Sequence, residues 1–181
     1  LSYTNDVSKI SIIKDRVKDE ENSVHAKVKL QHKVSNRFKL NFGAEYFLTV
    51  FKENFDGFSA QDYQTGFTNN ILGVFAESDI FFSKKLAAKI VIRAENSKLQ
   101  NQFTFSPRIS LAYKTGKYAQ MSLAYGEFYQ NPRNTYIKYA SGLKSEQATH
   151  LIANYQYDNA RQKFRVEGYY KGYDHLVKYD S

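Results

Sequence analysis

Four histidines, His25, His32, His150 and His175, are the side chains here best suited to general-base or metal chemistry. No catalytic motif ties a serine or an aspartate to any of them, so no nucleophilic triad is readable. His150 reads as an ordinary member of its strand. His25 and His32 are odd and even members of one alternating segment; they face opposite ways and cannot share a metal ion. Cysteine is absent, which removes disulfides, thiolate metal sites and a cysteine nucleophile. Asp56-Gly57 with Asp62 resembles a calcium loop but lacks the run of liganding acids, so it reads as a loop turn. The expectation is a protein that is not an enzyme, with no catalytic, cofactor or metal residues.

Charge and aromatic rings offer binding chemistry instead. The formal net charge is +8, from 26 Lys and Arg against 18 Asp and Glu. Such a surface suits anionic lipid, acidic ligands or nucleic acid, and also a merely solvated exterior. Lys27, Lys29, Lys33, Arg37 and Lys39 could grip phosphates, but the neighbouring aromatics occupy the opposite face, where they cannot interleave with the charges for base stacking. A basic nucleic-acid module is therefore the lowest-ranked reading, and no nucleic-acid partner is expected. Polar segments between strands carry Tyr63, Phe67, Tyr129, Asn131, Arg133, Tyr136 and Tyr139. These are candidates for substrate contact, because loops on a rigid scaffold carry function; loop-on-loop packing accounts for them equally well.

The elements that must position these residues are strands. Phe38, Leu40, Phe42, Ala44, Tyr46, Leu48 and Val50 alternate with Lys39, Asn41, Gly43 and Glu45. Val24, Ala26, Val28 and Leu30 alternate with His25, Lys27, Lys29 and Gln31 in the same way, and Leu86, Ala88, Ile90 and Ile92 with Lys89, Arg93 and Glu95, Ala87 and Val91 being exceptions. Period two over such lengths means an extended chain with one apolar and one polar face. No helical stripe is sustained, so the chain is all-β. The spacing predicts about nine strands at 7–17, 23–34, 38–51, 69–82, 86–96, 103–114, 118–130, 147–157 and 163–178. Many exceed the usual strand length of roughly 5–6 residues.

Short polar turns at 35–37, 83–85, 115–117 and 158–161 alternate with longer segments at 52–68, 97–102 and 131–146 and a shorter one at 18–22. This predicts an antiparallel up-and-down meander with turns at one pole and loops at the other. Outer-membrane barrels are built that way, and lipocalin-type soluble barrels also alternate. Phe38, Phe82, Tyr113, Tyr118, Tyr157 and Phe164 all lie within a few residues of a short turn. Rings at hairpin bases are what an interfacial girdle requires, and also what cross-strand pairing in a soluble sheet supplies. No stretch approaches the roughly 20 apolar residues of a spanning helix.

Residues 105–132, FSPRISLAYKTGKYAQMSLAYGEFYQNP, resemble TonB-dependent outer-membrane receptors, particularly the Bacteroidetes-type branch. The likeness extends through LKSEQATHLIANYQY at 143–157 and KFRVEGYYKGYDHLVKY at 163–179. It is carried by Ser106-Pro107-Arg108, by Tyr129-Gln130-Asn131-Pro132, and by Leu143, Glu146, Ala148 and His150. The resemblance implies a barrel of about 22 strands around a plug domain, in the outer membrane of a Gram-negative cell. It implies uptake of a nutrient driven by the TonB energy-coupling protein, with outer-membrane lipid, plug, TonB and nutrient as partners.

Against that pattern, residues 1–181 hold about nine strands and no plug, and they open at Leu1 without a signal peptide. The expectation is a single internal section of a transmembrane β-barrel wall, with the plug domain and the remaining barrel strands absent. The alternative is a soluble meander barrel binding an apolar ligand. On the first reading Leu40, Phe42, Ala44, Tyr46, Ile90 and Ile92 point outward to lipid, and Lys39, Asn41, Glu45, Lys89 and Arg93 point inward. The isolated chain is then expected to close its edges near 7–17 and 163–178, pair with another copy, or bind detergent.

Overall fold

The alternation centred on Phe42 becomes a long strand flanked on both sides by others of its kind. The computed structural model describes residues 1–12, 15–57, 61–137, 140 and 142–178. The strands are β1 (Ser2–Ile12), β2 (Asp15–Ser35), β3 (Phe38–Asp56), β4 (Tyr63–Phe81), β5 (Leu86–Ser97), β6 (Gln102–Lys114), β7 (Ala119–Gln130), β8 (Glu146–Asp158) and β9 (Lys163–Asp174). One short helix, α1 (Asn134–Ile137), lies between β7 and β8. The nine strands form a single antiparallel sheet in chain order. It is an up-and-down meander, open at β1 and β9, each of which has one neighbour.

Chain order fixes the poles. The connections after β2, β4, β6 and β8 leave one end of the sheet, and those after β1, β3, β5 and β7 leave the other. The predicted turns thus share one pole and the loops the opposite one. Ser83 Oγ caps its turn by accepting from the Lys85 and Leu86 N–H groups at 3.1 and 3.0 Å. Asn159 Oδ1 does the same for Arg161 and Gln162, both at 2.8 Å.

Four expected boundaries move. The segment 18–22 is not a loop: β1 ends at Ile12, β2 begins at Asp15, and Ile12 pairs with Asp15. Lys18 to Asn22 lie inside β2 with ladders on both sides, Asp19 facing Ser8 and Glu53. Polar side chains do not break a strand whose backbone groups are satisfied by two neighbours. Most of 52–68 is also strand, since Phe55 pairs with Tyr63. The segment 131–146 contains α1, and β8 already begins at Glu146. The last strand stops at Asp174 and not at 178, because His175 takes a left-handed φ of 57°, which extended pairing cannot use.

Strand length divides the sheet. β2, β3 and β4 hold 21, 19 and 19 residues, whereas β5 to β9 hold 12 or 13. A tilted strand crosses a bilayer core with about 9–11 residues. The surplus in β2–β4 rises beyond the other strands at the loop pole.

One ladder is incomplete. β6 pairs with β5 from Gln102 to Tyr113, but with β7 only from Arg108 to Lys114. Pro107, with no N–H to give, stands immediately before the point where the β7 ladder begins. Above it β6 and β7 separate, and Ser145 bridges Gln102 of β6 and Asn131 beyond β7. Ser145 N–H donates to Gln102 Oε1 at 2.7 Å, Ser145 Oγ donates to Asn131 Oδ1 at 2.8 Å, and Gln100 Nε2 donates to the Leu143 carbonyl at 3.3 Å.

Candidate functional site

The polar members of each alternation share one face of the sheet. Asn41, Glu45, Glu53, Asn69, Thr104 and Ser106 are buried there, while Leu72, Phe103, Leu123, Leu151, Phe164 and Val166 on the other face are exposed, Phe103 at 65% and Leu123 at 56%. Asn134 Nδ2, at the start of α1 beyond β7, donates to Glu21 Oε2 on β2 at 2.8 Å. That bond leaps the strands between, so the sheet curves with its polar face on the inside. Leu40, Phe42, Ala44, Tyr46, Ile90 and Ile92 therefore lie on the outer face, and Lys39, Asn41, Glu45, Lys89 and Arg93 on the inner one, as the periodicity predicts. Phe38, Tyr113, Tyr157 and Phe164 share the outer face at the turn pole, and Tyr118 packs edge-on to Tyr157 with centroids 6.2 Å apart.

Across β2–β5 the inner face is a web of opposite charges. Glu45, 5% exposed, is paired with Lys27 from β2. Arg93 of β5 reaches over β4 to place Nη2 2.9 Å from Glu45 Oε2 and 2.6 Å from Glu95 Oε1. It passes over Gly73, where a Cβ would lie in ordinary contact with Arg93 Nη2 at 3.4 Å. Toward the turn pole Glu77 lies 3.8 Å from Lys29 and 3.7 Å from Lys89, which is also 3.8 Å from Asp79. Sequence reading placed Lys27, Lys29, Glu45, Lys89, Arg93 and Glu95 on the polar faces of their strands but found neither Glu77 and Asp79 nor the pairing, which depends on register across four strands.

The inner face of β6–β9 is built differently. Arg108 lies over the Phe128 ring at 4.3 Å. Phe128 contacts His150 with centroids 4.9 Å apart, and His150 meets Tyr173 edge-on at 6.5 Å. His25 on β2 stacks on Phe47 at 4.0 Å.

At the loop pole the inner face carries paired rings. Phe67 stacks on Phe51 at 5.3 Å and Tyr63 on Phe55 at 5.2 Å, while Tyr63 Oη donates to Glu53 Oε1 at 3.0 Å. Glu53 is 1% exposed. Of the candidate contact residues, Tyr63 and Phe67 belong to β4 and Tyr129 to β7; the expected loop positions are corrected to strand positions. Asn131 is engaged with Ser145, the Arg133 carbonyl accepts from Tyr136 and Ile137 N–H, and Tyr136 lies in α1. Tyr139 falls outside the described residues. Tyr63 and Phe67 share the inner face of β4; Tyr129 stands on the outer face at the end of β7, and Asn131, Arg133 and Tyr136 follow it in the β7–β8 connection.

A sheet with paired charges inside and bare apolar side chains outside inverts the usual soluble arrangement. The sequence model of the family described as TonB dependent receptor-like, beta-barrel matches residues 2–181. The chain belongs to that family. Solved receptors share the fold of this barrel section. A variant of the ferric enterobactin receptor PfeA from Pseudomonas aeruginosa matches with a TM-score of 0.71 at 13% identity, over 87% of this chain and 27% of that one. The copper transporter OprC matches with a TM-score of 0.73 at 11% identity, over 87% of this chain and 30% of the transporter. The receptor-barrel chain thus spans less than a third of either relative. No curated protein matches it in sequence.

Proposed function

We propose that residues 1–181 form a wall section of a TonB-dependent receptor in the outer membrane of a Gram-negative cell. The apolar outer face meets lipid and the charged inner face surrounds a plug domain. The loop pole meets an incoming nutrient, and TonB drives its uptake. The wall itself performs no catalysis. The observation that carries this reading is the inversion of faces: most of the buried side chains are polar, Phe51 and Ile137 excepted among the described residues, and the large apolar side chains of the outer face stand exposed. The soluble-barrel alternative needs Phe42, Ile90 and Ile92 enclosed, yet they lie on the outer face, exposed at 41%, 39% and 43%.

Within this reading Tyr63, Phe67, Tyr129, Asn131, Arg133, Tyr136 and Tyr139 are the residues of the wall that meet the nutrient. The Bacteroidetes-type assignment rests on the motifs in 105–132 and 143–157. The test is to express the parent receptor and follow it through membrane fractionation and unheated gel electrophoresis. An outer-membrane protein with the heat-modifiable mobility of a closed barrel is the expected result. A detergent-independent soluble product would overturn the proposal.

A further inference from the structure

We propose that Arg108 takes a carboxylate from a segment of the receptor enclosed by the barrel, the wall-facing surface of the plug. This rests on the wall reading above and adds the chemistry of the partner. Arg108 and Arg93 are both inner-face guanidinium groups on adjacent strands. Arg93 is matched by two carboxylates of its own wall. Among the described residues Arg108 forms no ion pair, and its Nε is buried without a hydrogen-bond partner. The nearby acids are already committed: Glu77 lies beside Lys29 and Lys89, and Glu95 bonds Arg93.

The row through Arg108 continues as Gly126, His150 and Lys171 across β7, β8 and β9, so no acid stands beside it there either. What holds Arg108 is packing. Gly126 leaves room for its stem, since a Cβ would lie 3.1 Å from Arg108 Cγ, and the Phe128 ring supports the guanidinium. Stacking uses the face of that group and leaves its N–H edge for a coplanar, bidentate acceptor. A groove of about 290 Å³ lies alongside, lined by Lys89, Val91, Arg108, Gly126, Phe128 and His150. A fixed cation with a buried, unused donor, in a row of basic and neutral side chains, is complementary to an acid arriving from inside the barrel.

The experiment uses the full receptor in detergent, with Arg108→Lys and a carbodiimide that joins amines to carboxylates in direct contact. Peptide mass spectrometry is expected to find position 108 linked to an Asp or Glu of the plug, a product lost in wild type. A link from 108 to Glu77 or Glu95 would overturn the assignment. So would plug links from Lys89 or Lys171 with none from 108, an outcome that leaves the wall-around-plug reading standing. No link from any inner-face amine to another segment would overturn both. Should the Arg108→Lys receptor not reach its folded form, protease protection of the plug in the Arg108→Gln receptor decides. Lost protection supports the contact, and wild-type protection overturns it.

Discussion

Ser122 and Leu123 are adjacent in β7 and stand on opposite faces of the same sheet. On Ser122's side, side chains find one another: Lys27, Glu45, Arg93 and Glu95 form a continuous chain of opposite charges. On Leu123's side contacts are few, such as Tyr46 with Asn70 and Tyr118 with Tyr157, and large apolar groups from strand after strand stay exposed. A soluble domain buries its apolar face because water is its solvent. Here the apolar face is left for a solvent that is itself apolar, and the polar face is the one made self-sufficient.

The sharpest way to break this contrast is to place one cation on each side. In the full receptor refolded into vesicles, Leu123→Arg is expected to cost about 2–4 kcal/mol, the range for arginine near the bilayer midplane. Ser122→Arg is expected to cost close to nothing. Urea midpoints measure both; equal effects would mean that the faces share one environment.

The inner web is probed by Glu45→Leu, which leaves Lys27 without its carboxylate and Arg93 with Glu95 alone. A loss of about 1.5–3 kcal/mol is expected, the worth of hydrogen bonds to charged groups. Restoration by a second change, Lys27→Leu, would show that the penalty is the uncompensated charge. A smaller effect is expected from Gly126→Val, whose side chain would press on Arg108 Cγ and the Phe128 ring, 3.1 and 3.0 Å from a Cβ at that position. Overpacking of this kind costs about 1–3 kcal/mol, read as a lower midpoint. The least effect belongs to the outer face near the loop pole. There Tyr46 Oη donates to Asn70 Oδ1 at 3.1 Å. Tyr46→Phe removes that one exposed bond, for an expected loss of about 0.5 kcal/mol.

Fold class, strand number and the facing of Phe42 against Glu45 were legible because period two survives wherever one face is apolar. The signal failed where both faces are polar. Lys18 to Asn22 and Lys52 to Asn54 read as loop, since beyond the lipid-facing stretch no apolar alternation marks a strand that cross-strand pairing nevertheless holds. The site was legible by composition and not by contact. Arg93 and Arg108 look alike in sequence; the difference arises from register, which sets Glu45 within reach of one and Gly126 beneath the other. The separation of β6 from β7 had one visible cue, Pro107, whose effect depends on which neighbour has been left without a donor.

Each strand is hydrogen-bonded only to its neighbours in sequence. The ladder can therefore grow as a zipper, every new hairpin laid on the edge left by the one before, with a short chain closure each time. Topologies of this kind keep contact order low and hold the entropic cost of each step small. That economy defers one expensive event. Two strands far apart in the full sequence must meet last to close a barrel, and until they do each intermediate presents adhesive edges such as those of β1 and β9. The slow step of assembly, and the window for capture by chaperones or by another copy, would then lie in this final seam and not in the wall.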